Sequence, residues 1–331
     1  MRRTVANAVF EGGGVKGIAL AGAVRAAERH GVVFDRVAGT SSGSIVASLL
    51  AAGCGAEELK EIIEATPFSA FLQRSAAFRV KLIGPFARLL LRKGLYSGDA
   101  LEHWIAGILQ GKGIRVFGDL PPGKLQIVAS DITNGKLLVL PRDIAAYGID
   151  PMRLPVSKAI RMSASIPYFF DPVVLGQPER YKARVRARSS YIVDGGLLSN
   201  YPLWIFDEPA SGGAPASHVL GFQTVGRSDT QPHRIAGPIS MFQAMFETML
   251  SAHDQRYIEE HNLARTIKIP SLGVRTTQFG LTPETSRALY ESGIRAGEKF
   301  FKTWPPAHGA GNGDSPPPSG GPDVMLGGKR L

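Results

Sequence analysis

Three short stretches of the chain carry residue types whose spacing suits acyl-transfer chemistry. Ser41 is centred in Gly39-Thr40-Ser41-Ser42-Gly43, a G-x-S-x-G pattern between the end of a strand-like run and an apolar run, Ile45–Ala52. Such a turn lifts its serine out of the backbone as a nucleophile, and Cβ atoms at either flanking glycine would crowd the bend. A helix starting there turns its positive end toward charge developing on a substrate. Upstream, Gly12, Gly13 and Gly14, with Gly17 close behind, form a loop whose amides could point at an anion. For a tetrahedral oxyanion one such donor contributes about 3 kcal/mol to the barrier. Downstream, Asp194 precedes Gly195 and Gly196 at the end of the strand-like Tyr191–Val193. Open α/β sheets hold their catalytic groups at such carboxyl ends. Each stretch alone is also what an ordinary turn looks like.

The elements that must position these residues can be read from hydrophobic period and turn chemistry. Thr4–Phe10 reads as a buried strand, Glu11–Gly17 as a glycine-rich turn, and Ile18–His30 as a helix capped by Gly31. Glu57–Ala65 is a short polar helix, and Ser97-Gly98-Asp99 starts another that runs to about Gln110. Lys124–Ala129 and Leu137–Leu140 read as strands joined by a hairpin turn over Asp131–Lys136. Pro155–Met162 begins a helix, and Val173-Val174 starts an excursion that returns through Tyr191–Val193. His218–Thr224 and Thr266–Ile269 are further strands, and Thr282–Phe301 is a last helix. Between them Gly237–Asn262 forms a long helix whose stripe of Met241, Phe242, Met245, Phe246, Met249 and Leu250 is expected to face the core. The run 209–216 reads as a flexible surface loop. Beyond Thr303 the chain is rich in proline and glycine and is expected to be a disordered tail.

Composition narrows the function classes. The chain has 331 residues, 44% hydrophobic and 20% charged, as expected for a globular protein. No apolar run approaches the roughly 20 residues of a membrane-spanning helix, and no apolar signal core follows the basic Met1-Arg2-Arg3, so a cytoplasmic protein is expected, peripheral to a membrane at most. Cys54 is the single cysteine, which leaves no internal disulfide or cysteine metal cluster, and reads as a small core residue. A formal net charge of +10 favours an anionic partner. The cations concentrate in two places. Residues 65–98 hold six basic and no acidic residues, interleaved with apolar ones, which suits either an anionic membrane interface or a solvated helix pair. Lys182, Arg184, Arg186 and Arg188 alternate at period two and so share one strand face. They read as a charge-protected edge or as contacts for lipid headgroup phosphates.

Gly12, Gly14 and Gly17 also match the G-x-G-x-x-G of a dinucleotide site, with Asp35 downstream for a ribose. The chain runs from Asp35 straight into the Ser41 turn, leaving no room for the second strand and helix that reading needs. His218, His233, His253 and His261 follow Asp194 in the order of a Ser…Asp…His triad, so a histidine-containing site is a further alternative.

Taken together, Gly12-Gly13-Gly14-Val15-Lys16-Gly17, Gly39-Thr40-Ser41-Ser42-Gly43 and Asp194-Gly195-Gly196 resemble the patatin-like phospholipase family in order and spacing. Met162–Pro167 and Asn200-Tyr201-Pro202 look like the same family. The resemblance implies a three-layer α/β/α fold with a mostly parallel central sheet. It implies one catalytic domain over residues 1–302, with the motifs within about 6–207, an α/β extension over about 208–302, and the tail over 303–331. It implies Ser41 as acyl-accepting nucleophile, Asp194 as the base taking its proton, and the amides of Gly12, Gly13 and Gly14 as oxyanion hole, supported by Gly17, Gly39, Gly43, Gly195 and Gly196. The implied reaction is hydrolysis of a glycerolipid acyl ester, phospholipase A-like, with no metal or other cofactor. A free aspartate is a poor base at a pKa of about 3.9, so a desolvated site is expected around Asp194.

Two other functions fit the same residues. Transacylation uses the same dyad with another alcohol in place of water. A non-catalytic lipid-binding module would need no dyad, and the completeness of the three motifs argues against it. No nucleic-acid partner is expected, because no binding motif or aromatic platform accompanies the charge.

Overall fold

The alternation of side chains along the first strand builds the molecule. A computed structural model describes residues 3–66, 71, 92–176, 189–207, 218–226, 235–256, 263–276, 278 and 280–304. Strand β1 (Thr4–Phe10) turns Ala6, Ala8 and Phe10 to one side of a sheet, where they join the main core, and Val9 to the other. Strands β2 (Val32–Thr40) and β9 (His218–Val225) split in the same way: Val37, Leu220 and Phe222 face the main core, whereas Ala38 and Val219 join Val9. Helices α1 (Gly17–Arg29), α2 (Ser42–Ala51) and α3 (Ala56–Ala65), and the last helix α7 (Pro283–Phe301), supply the main core. Tyr201, Leu203 and Phe206 cover the second face. Helix, sheet and cover form a three-layer α/β/α sandwich with a mixed, mostly parallel sheet.

The sheet order is β10-β9-β1-β2-β4-β8-β7, with β5 paired to β4, where β4 is Leu125–Asp131, β5 Lys136–Leu140, β7 Val173–Gly176, β8 Ser189–Asp194 and β10 Thr266–Pro270. From β10 to β4 neighbouring strands run parallel, and β5, β8 and β7 are attached antiparallel. One feature of register decides the site. Strand β2 pairs with the first half of β4, ending at Thr40 opposite Val128, and β8 pairs with the second half, ending at Asp194 opposite Ala129. Because β5 overlaps both stretches, it must occupy the other edge of β4. Strands β2 and β8 therefore share one edge and run toward each other, their carboxyl ends meeting head to head over adjacent residues.

Off the sheet, β3 (Gly94–Tyr96) pairs with β6 (Tyr168–Phe170), and helices α4 (Asp99–Gly111) and α5 (Val156–Ser163) precede and follow the central hairpin. Helix α6 (Pro238–Arg256) departs from the expected stripe. Phe246 and Leu250 are buried with Ile166, but Met241, Met245 and Met249 are 52%, 53% and 37% exposed. The apolar arc of α6 is wider than the strip of protein beneath it, so only its phenylalanine and leucine side packs. Cys54 is buried, and desolvation pushes its thiol up to about 11. The cations Lys182, Arg184, Arg186 and Arg188, most of the basic stretch 65–98, the loop 209–216 and the tail from residue 305 lie outside the described residues. Among those described, no helix is long and apolar enough to cross a membrane.

Candidate active site

The head-to-head junction places the end of β2 and the end of β8 side by side. Ser41 is the first residue beyond β2 and has φ 52° and ψ −123°, a backbone conformation that L-residues rarely hold. The turn is this sharp because Gly39 and Gly43 touch: a Cβ on Gly39 would lie 2.4 Å from the carbonyl of Gly43, and one on Gly43 would lie 2.3 Å from the Phe10 carbonyl. Both flanking positions of the G-x-S-x-G pattern are thus filled by backbone. Helix α2 begins at the next residue, with its positive end beside the hydroxyl.

Ser41 Oγ donates to Asp194 Oδ2 at 2.7 Å, and Gly196 N–H donates to the other oxygen, Oδ1, at 2.8 Å. Asp194 is 2% exposed and Ser41 6%. Burial pushes the Asp194 carboxyl up to about 7, although the hydrogen bonds from Ser41 and Gly196 pull the other way. The desolvated surroundings expected for Asp194 from the sequence are therefore present. A 2.7 Å contact between serine and aspartate also leaves no space for an imidazole between them, so the Ser…His…Asp arrangement is not the one built. His218 stacks edge-on against Trp304. The side chains of His233, His253 and His261 lie outside the described residues.

The glycine loop lies where expected but is engaged differently. Gly12 N–H donates to the carbonyl of Asn200 at 3.1 Å, and Gly13 N–H to Ser42 Oγ at 3.0 Å. Among the described residues no acceptor meets the amides of Gly14 or Ser42, and both residues line the pocket beside Ser41. Gly14 has φ +57°, and a Cβ there would lie 2.0 Å from the Thr276 carbonyl, so the loop can turn its amide only with glycine at this position. Two of the three amides proposed from sequence therefore hold the loop in place. Gly17 packs against Ser42, and Gly195 and Gly196 lie against Val128 and Leu250.

The pocket beside Ser41 opens to solvent. Apart from the Ser41–Ser42 turn its lining is apolar, including Ile18, Ile45, Ile63, Leu101, Trp104 and Phe170. The sequence did not point to this lining, because its described residues come from six separated segments. The nucleotide alternative fails on position: Asp35 lies within β2, and the carboxyl end of that strand carries Ser41.

Comparison with known proteins agrees with this fold. The family model described as Patatin-like phospholipase matches residues 8–207. The chain belongs to the patatin-like phospholipase family. Membership supports lipid hydrolysis at the level of the family. The protein YqhO of Bacillus subtilis is 42% identical over 299 residues, covering 90% of this chain and 98% of that one. An NTE family protein of Mycobacterium bovis is 28% identical over 194 residues, 59% of this chain but only 27% of the relative. Among solved structures, VipD from Legionella pneumophila superposes with a TM-score of 0.54 at 18% identity, covering 92% of this chain and 67% of that one. That likeness concerns the patatin-like fold alone. The three motifs of the sequence all fall within the matched span, and strands β9 and β10 complete the sheet beyond it.

Proposed function

We propose that the protein hydrolyses lipid acyl esters through an acyl-serine intermediate, with Ser41 as nucleophile and Asp194 as general base. The observation that carries this reading is the direct hydrogen bond to a desolvated aspartate from Ser41, which lines an apolar pocket. Ser41 Oγ attacks the ester carbonyl carbon while its proton passes to Asp194 Oδ2. The carbonyl electrons move onto oxygen, and the amides of Gly14 and Ser42, which have no acceptor among the described residues, supply the oxyanion donors. Collapse expels the alcohol, which takes the proton from Asp194. Water then attacks the acyl-serine, giving its proton to Asp194, and the second collapse releases the acid and restores Ser41.

A carboxyl with a pKa near 7 suits both halves of this cycle, since it can accept and return a proton near neutral pH. The apolar lining takes the acyl chain, and each buried methylene stabilises the complex by about 0.8 kcal/mol. A phospholipid or another acyl-ester lipid is the proposed substrate class, with an anionic membrane surface as the peripheral contact favoured by the net charge of +10. Hydrolysis of p-nitrophenyl esters and of phospholipid vesicles by wild type, Ser41→Ala and Asp194→Asn tests the reading. Turnover lost in both variants is expected, and turnover retained in either contradicts it.

A further inference from the structure

We infer that Ser163 is a positioning residue that holds the Ser41 turn in its reactive conformation; this rests on the reading of Ser41 as nucleophile. The strained backbone of Ser41 needs an acceptor for its N–H, and strand pairing does not supply one, since the ladder between β2 and β4 ends at Thr40 and Val128. Ser163 Oγ takes that N–H at 2.8 Å. Its own hydroxyl proton goes to the Val128 carbonyl at 2.6 Å, which fixes the rotor and leaves a lone pair aimed at Ser41. Ser163 is fully buried, so losing its hydroxyl leaves the Ser41 N–H away from bulk water.

The same short segment holds the other half of the pair. Two residues on, the carbonyl of Ser165 accepts the backbone N–H of Asp194 at 2.9 Å. The segment 163–165 at the end of α5 thus ties the nucleophile's turn and the aspartate's strand end to one support. Arg161, itself 4% exposed, anchors that support from behind: Nη1 donates to Ser165 Oγ, and Nη2 donates to the Asp171 carbonyl at 2.7 Å. None of these residues touches the reacting atoms. Their effect is on the placement of Ser41 Oγ, where an error of about 1 Å can cost 10²-fold in rate.

The test is steady-state hydrolysis of p-nitrophenyl butyrate by wild type, Ser163→Ala, Ser163→Thr and Ser292→Ala, well below each melting temperature, with a crystal structure of Ser163→Ala. Ser292 is a control, a buried serine donating to the Pro270 carbonyl at 2.8 Å away from the site. The expected result is a fall in kcat of about 10- to 100-fold for Ser163→Ala with KM within twofold. Ser163→Thr, which keeps the hydroxyl, should recover most of that loss, and Ser292→Ala should keep kcat within twofold. The crystal structure should show Ser41 leaving its positive φ or its bond to Asp194. A Ser163→Ala enzyme with kcat within twofold of wild type, or with Ser41 unmoved, overturns the inference. Silence of the wild type on every ester would instead contradict the acyl-serine reading, and the Ser41 geometry in the crystal would still decide the positioning role.

Discussion

Ser41 and Asp194 are 153 positions apart in the chain, yet their side chains are joined by a 2.7 Å hydrogen bond. They meet because two strands run toward each other along one edge of β4 and stop at consecutive residues, Val128 and Ala129. A parallel strand delivers the serine and an antiparallel one delivers the aspartate. The distance between them is therefore set by sheet register and not by a long loop. The chemistry follows from this arrangement in several measurable ways.

Removing the proposed base without changing its shape should cost rate. Asp194→Asn keeps an acceptor for Gly196 N–H but cannot take the Ser41 proton. A loss of about 10²- to 10⁴-fold in kcat is expected, the usual contribution of a positioned acid-base group. Ser41→Ala should remove acyl-serine turnover altogether. Ester kinetics on the purified variants check both.

Activity should rise with pH through about 7, as Asp194 becomes the carboxylate that can accept a proton. A single ascending limb in kcat/KM is expected. A limb that instead ends near pH 4 would place the aspartate in water and remove the argument from burial.

Stability should move the opposite way. The folded carboxyl binds its proton more tightly than the unfolded one, so between about pH 4 and 7 the native state holds the proton that the unfolded state has lost. Stability from this group is full below the unfolded pKa and falls as pH rises through about 7, by a total of about 4 kcal/mol at most. Asp194→Asn should match wild type near pH 4 and exceed it at pH 8. Denaturant titrations of both proteins at the two pH values check the sign.

The Ser41 turn should tolerate no side chain at Gly39. The added Cβ would meet the Gly43 backbone at 2.4 Å, a contact that neither strand nor helix can relieve cheaply. Gly39→Ala should unfold at lower temperature and lose turnover together, by several kcal/mol of stability. Thermal melting with parallel assays would show it.

Filling the pocket should change chain-length preference more than rate. Ile45 lines the pocket beside Ser41, so Ile45→Phe takes up space used by the acyl chain. Losing room for about three methylenes corresponds to roughly 2 kcal/mol, or about 50-fold in the ratio of long- to short-chain kcat/KM. A ratio unchanged within twofold would place the acyl chain elsewhere.

Much of this was legible in the sequence, and the limits have physical causes. Strands and helices bearing the motifs emerge from local period, and Asp131–Lys136 connects the paired strands β4 and β5 as its turn chemistry suggests. Gly39 and Gly43 declare a bend because no other residue fits it. The head-to-head junction at β4 was not legible, because pairing partners far apart in sequence leave no local trace. Hydrogen bonding was equally hidden. Nothing in Gly12-Gly13-Gly14 reveals that Asn200 and Ser42 already take two of the amides, or that Gly14 keeps its own. Ser163 and Asn200 stood in stretches resembling the family, but their roles depend on contacts that only the fold creates. On α6 the amphipathic pattern was visible, whereas the width of the buried strip was not, and three methionines face outward.

Direct activation of Ser41 by Asp194 is the step on which the proposed reaction depends. Its most direct test is the rate of Ser41 labelling by a fluorophosphonate probe, located by mass spectrometry, in wild type and Asp194→Asn from pH 5 to 9. An adduct on Ser41 is expected, formed faster as pH rises through about 7 and slowed at least about 10²-fold in Asp194→Asn. Labelling at another residue, or equal rates in the two proteins, would contradict it.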